Sequence, residues 1–87
     1  MGDKATQNDL VGDYRYIVIR PGYMGGKPAI LGKRVSVRQI LEGLADGMGI
    51  LDFKDAYDLD PEVIYEVLKF AADYAGGSDV VDRRKSA

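Results

Sequence analysis

Three groups of residues in this 87-residue chain have types and spacing that could support chemistry. The first is a glycine-rich segment, residues 21–33, of the kind that can cradle a phosphate. A P-loop requires a glycine five residues before Gly32, where Lys27 stands, and a serine or threonine where Arg34 stands. The spacing therefore does not favour nucleotide binding.

The second group is acidic. Asp58, Asp60 and Glu62 alternate as the first ligands of a calcium loop do, but Pro61 interrupts them and Lys69 stands where the bidentate glutamate belongs. Capping of a helix start explains these acids better. The chain also has no histidine and no cysteine, so the commonest general base and metal ligands are missing. We therefore predict no catalytic residue, no metal and no cofactor.

The third group is basic. Residues 14–41 carry six basic side chains and no acidic one, whereas residues 42–82 carry eleven acidic and two basic ones. The two blocks have formal charges of +6 and −9, although the whole chain has only −2. Basic side chains on turns and at a helix start can reach phosphates, with ordinary solvated charge as the alternative. The candidate DNA-binding residues are Lys27, Lys33, Arg34 and Arg38.

A short β-hairpin is predicted to hold the basic turns. The β-branched and aromatic residues 14–19 predict one strand and residues 29–31 a short return strand, separated by glycine and proline turns. Residues 1–12 are polar and are predicted to form a disordered leader. No apolar run is long enough for a membrane span and the leader has no signal-peptide core, so we expect a cytoplasmic protein.

Three helices are predicted after the hairpin. Ser36 and Gln39 fit a capping box, so the first helix should begin at Ser36, and Gly47 suits its end. A short second helix is predicted near residues 50–57. The third should begin at Asp60–Pro61 and stop at Gly76–Gly77. The result is one mainly α domain, residues 13–77, followed by a flexible tail, residues 78–87.

The third helix is apolar on most of its sides. Its polar residues form one narrow stripe: Glu62, Glu66, Lys69 and Asp73. Either the hairpin covers the second apolar face, or a partner does; we favour a dimer or heterodimer surface, because a chain this small has little else to cover it. The predicted partner-interface residues are Val63, Val67, Phe70 and Tyr74. Since the polar stripe is mostly acidic, DNA should instead contact the hairpin, the first helix or residues 83–85.

Residues 25–30 (GGKPAI) and 32–37 (GKRVSV) resemble the signature of the domain-of-unknown-function family 433, and Ile40–Leu41, Leu44–Ala45 and Tyr74–Ala75 match its later parts. The resemblance implies a three-helix, homeodomain-like (helix-turn-helix) bundle with a small N-terminal β-hairpin. It further implies a non-catalytic antitoxin that neutralises a PIN-like ribonuclease toxin and binds its own operator DNA. The alternative is a stand-alone dimeric DNA-binding regulator.

Overall fold

The computed structural model describes residues 4–86, of which residues 77–86 are described as backbone only. Within this range the chain forms an antiparallel pair of short strands, β1 (Ile17–Val18) and β2 (Ala29–Ile30). Three helices follow: α1 (Val37–Ala45), α2 (Asp52–Tyr57) and α3 (Pro61–Ser86). The predicted class, mainly helical with a small N-terminal β element, is confirmed.

The strands are shorter than the sequence predicts: the Tyr16 carbonyl still accepts the Leu31 amide, but the Tyr16 amide donates to Glu66, outside the strand pair. Ile17 pairs with Ile30, and Val18 with Ala29. On the other edge of β1, Val18 also pairs with Leu10, and the Ile19 amide donates to the carbonyl of Asp9. Part of the segment predicted as a disordered leader therefore covers a strand edge whose polar groups need partners. Residues 1–3 lie outside the described residues.

The start of α1 is where the capping box predicts it. The Ser36 hydroxyl accepts the Gln39 amide at 3.0 Å, and the Gln39 side chain accepts the Ser36 amide at 2.8 Å. After the helix ends at Ala45, Gly47 has φ +106°, a left-handed conformation that glycine adopts without strain.

The last helix is longer than predicted. It begins at Pro61, as expected, but its backbone continues through Gly76–Gly77 to Ser86. Two glycines therefore do not end it: each costs about 1 kcal/mol relative to alanine in a helix, but both can adopt helical dihedrals. The backbone of residues 78–86, predicted as a flexible tail, is helical, and Ala87 lies outside the described residues.

The main core joins the sheet to all three helices. Its largest fully buried side chains include Ile17, Ile30, Ile40, Phe53 and Ile64. A second, smaller cluster of Val18, Tyr23 and Ala29 lies under the glycine-rich loop. The Tyr23 hydroxyl donates to the Lys33 carbonyl and lies 3.3 Å from the Ile30 carbonyl, so this ring fixes the loop that carries the basic residues.

Candidate functional site

The structure places most of the predicted partner interface inside the domain. Val63, Val67 and Phe70 are buried in the main core, so they are not available to a partner, and this part of the prediction is corrected. Tyr74 is 68% exposed, and its ring packs against the Phe70 ring with 4.5 Å between the ring centres. The N-terminal segment covers this face of α3: the Tyr14 ring contacts the Phe70 ring edge-on, with 5.1 Å between the ring centres.

The acidic stripe of α3 holds this N-terminal cover in place. The Tyr14 hydroxyl donates to the Asp73 carboxylate, and the Tyr16 amide donates to Glu66 at 2.7 Å. The hydrogen bond to Asp73 raises the pKa of Tyr14 to about 12, because ionised tyrosine would face a carboxylate. Hydrogen bonding to the Glu62 carboxylate likewise raises the pKa of Tyr16. The stripe therefore has a structural role that its spacing did not reveal.

A different side of α3 faces solvent. Tyr65 is 58% exposed, Leu68 is 40% exposed, and Ala72 is exposed as well. These residues, spaced i, i+3 and i+7, lie along one line of the helix and form what we call the outer stripe. Neither Tyr65 nor Leu68 was singled out from the sequence as an interface residue. The available signal was that α3 is apolar on more sides than a domain this small can cover.

A groove lies between α3 and residues 13–15, beside the outer stripe. Its volume is about 520 Å³, and the rings of Tyr14 and Tyr65 line it. Its charged lining consists of Asp13, Arg15, Glu66, Lys69 and Asp73. We call it the tyrosine groove. With three carboxylates and two cations it is aromatic and slightly acidic in character.

The four predicted DNA-binding residues do not form one free basic patch. Lys33 pairs with Asp58 at 3.1 Å, and Arg38 pairs with Glu42 at 2.9 Å. The Lys33 ammonium is the main cause that lowers the pKa of Asp58. Lys27 and Arg34 are exposed and have no ion pair within residues 4–76.

The two remaining cations flank the start of α1. The Val37 amide donates to the Pro28 carbonyl at 3.0 Å, which brings the backbone next to Lys27 beside the first turn of the helix. Arg34 lies with Lys4 on a cavity of about 310 Å³, and sequence reasoning missed Lys4 because it belongs to the polar leader. Arg34 and Lys4 therefore share one cavity, and Lys27 lies near the first turn of α1.

The described residues contain no group of three acidic side chains arranged to hold a metal ion. Nor do they contain a helix with the length and apolar character needed to cross a membrane.

Comparison with known proteins supplies the family. The profile of the family described as "Protein of unknown function (DUF433)" matches residues 17–71, more than half of the chain. The chain therefore belongs to this family, which confirms the resemblance of its GGKPAI and GKRVSV segments. Neither the search of curated proteins nor that of solved structures found a match.

Proposed function

We propose that this protein is a non-catalytic, antitoxin-like interaction protein that binds a PIN-like ribonuclease toxin in the cytoplasm. The observation that carries the proposal is the outer stripe of α3, where Tyr65 and Leu68 are exposed although the same helix buries Val63, Ile64 and Val67. Exposed apolar stripes of this kind are typical of protein-binding surfaces, in which tyrosine is enriched.

The proposal includes a homeodomain-like helix-turn-helix arrangement of α2 and α3. Its support is the short connection between these helices, residues 58–60, where Asp58 adopts a left-handed conformation with φ +57°. In a helix-turn-helix protein the second of these helices enters the major groove. Here the outer stripe, Tyr65, Leu68 and Ala72, offers neither a cation for phosphate nor an amide for base edges, and the exposed Lys69 lies 3.7 Å from the Asp73 carboxylate. This composition favours a protein partner for α3.

The test is co-expression with the product of the neighbouring gene. We expect the two proteins to co-purify and the toxin's growth arrest to be relieved. Leu68→Asp places a charge in the outer stripe and should reduce recovery of the partner at least about tenfold, since a desolvated, unpaired charge costs more than 1.4 kcal/mol. Leu51→Asp is the matched control, because Leu51 is 71% exposed but lies at the start of α2.

Two results would contradict the proposal. One is the absence of both co-purification and growth rescue with the unmodified chain. The other is equal partner recovery by the Leu68→Asp and Leu51→Asp variants, which would move the interface away from the outer stripe.

A second candidate function is that of a dimeric DNA-binding regulator, or of an antitoxin that also represses its operator. Its support is the pair of cations Lys4 and Arg34 on one cavity, together with the exposed Lys27 near the start of α1. If Arg34 contacts a phosphate, Arg34→Ala should reduce the slope of log affinity against log salt by about one. Lys69→Ala removes the same charge from α3 and should leave the slope unchanged. An unaltered slope in Arg34→Ala, or no retention of operator DNA at low salt, would count against this function.

A further inference from the structure

The tyrosine groove has a chemistry of its own that the outer stripe does not share. Tyr65 belongs to both, so the groove continues the surface that we assign to a protein partner. Its volume, about 520 Å³, lies in the range of sites that enclose a small ligand or a few side-chain atoms. An occupant of the groove would therefore extend the same interface.

The two cations that line the groove are already engaged. The Arg15 guanidinium lies 5.6 Å from the centre of the Tyr16 ring, in cation–π geometry. The Lys69 ammonium lies 3.7 Å from Asp73. Asp73 offsets the charge of Lys69, and with three carboxylates against two cations the groove keeps a formal charge of −1.

Acceptors and aromatic faces remain. The Asp13 carboxylate is exposed and has no hydrogen bond or ion pair within residues 4–76. Tyr65 offers a ring that is more than half exposed. A carboxylate and an open tyrosine ring on the same groove suit a guanidinium group, which stacks on the ring and bonds to the carboxylate through its planar fork of donors.

We propose that the tyrosine groove receives an arginine side chain of the partner protein, with the guanidinium between Tyr65 and Asp13. The existence of that partner rests on the proposed function. The acidic charge of the groove is complementary to such a partner, because a ribonuclease binds RNA through basic side chains. The groove would bind one of these side chains.

The test uses the full chain alone and follows its amide and tyrosine-ring NMR signals. The probe is N-acetyl-arginine amide, and N-acetyl-citrulline amide is the neutral probe of the same shape. We expect saturable shifts at residues 13–15 and at the Tyr65 ring, with arginine binding about threefold more tightly than citrulline, as an exposed cation–π contact provides. Tyr65→Leu keeps an apolar side chain and should weaken arginine binding by a similar factor.

Asp13→Asn should also weaken binding, whereas Asp55→Asn, which removes an exposed charge from α2, should not. Equal binding of arginine and citrulline, shifts located elsewhere, or no shift up to the solubility of the probe would overturn the assignment. Tighter binding of N-acetyl-glutamate amide than of arginine would overturn it too and make the groove an anion site. Because no toxin is present, this result is separate from the co-expression test: either can fail while the other succeeds.

Discussion

Gly43 provides a test of the core in which two effects of similar size oppose each other. It lies within α1, where replacing glycine by alanine in a helix ordinarily stabilises by about 1 kcal/mol. A Cβ atom at this position would lie 2.9 Å from the Met48 sulfur and 3.0 Å from the Phe53 Cζ atom. Met48 is only half-buried and flexible, so it can rotate away. Phe53 is 0% exposed, so in a close-packed core its ring can move only by displacing its neighbours.

We expect the contact with Phe53 to outweigh the gain in helix propensity. Overpacking of a well-packed core costs about 1–3 kcal/mol, which leaves Gly43→Ala less stable by about 1 kcal/mol. For a domain of this size that corresponds to a decrease in Tm of about 4–8 °C. Thermal and urea unfolding, followed by circular dichroism, would measure the change.

The matched control repeats the substitution in a Phe53→Leu background, where the smaller side chain leaves room for the new methyl group. There Gly43→Ala should stabilise, because the propensity gain remains and the overlap is gone. A higher Tm for Gly43→Ala in the unmodified chain would refute the reasoning, since it would show that the α1–α2 contact adapts at no net cost.

Two further predictions concern the helix cap and the tyrosine contacts. Ser36→Ala removes the acceptor of the Gln39 amide and should lower the free energy of unfolding by about 1 kcal/mol; an unshifted urea midpoint would contradict the observed cap. Tyr14 has a pKa of about 12 in the folded protein and an ordinary value of 10.0 in the unfolded chain. Its contribution to the free energy of unfolding should therefore be fully present below pH 10 and be lost as the pH rises towards 12. Tyr14→Phe should show a shallower decline, because the raised pKa of Tyr16 still contributes; an equally steep decline would argue against the contact with Asp73.

The sequence was sufficient where the deciding contacts are local. The capping box of Ser36 and Gln39 closes over three residues, and Pro61 suits the first turn of a helix whatever surrounds it. The family signature also lies in one continuous stretch, residues 25–37. The end of α3 was predicted wrongly, because a pair of glycines lowers helix propensity but does not prevent a helix.

The candidate site could be predicted only in part, because its pairings join distant residues. Lys27 and Arg34 were predicted as candidate cations and are exposed. The ion pair of Lys33 with Asp58 joins residues 25 positions apart, so no local pattern predicts it. The tyrosine groove likewise requires residues 13–15 to lie against α3, which no spacing in the chain indicates.

The third helix shows where sequence information ends. Periodicity determines that α3 is a helix with more apolar sides than one core contact needs. It does not determine which sides are covered, because a helix that is apolar nearly all round has no single inward face. The tertiary structure decides this through Tyr14, which reaches Asp73 across 59 positions, and Tyr16, which reaches Glu66 across 50. Tyr14 thereby covers Phe70, whereas Tyr65 and Leu68 stay exposed.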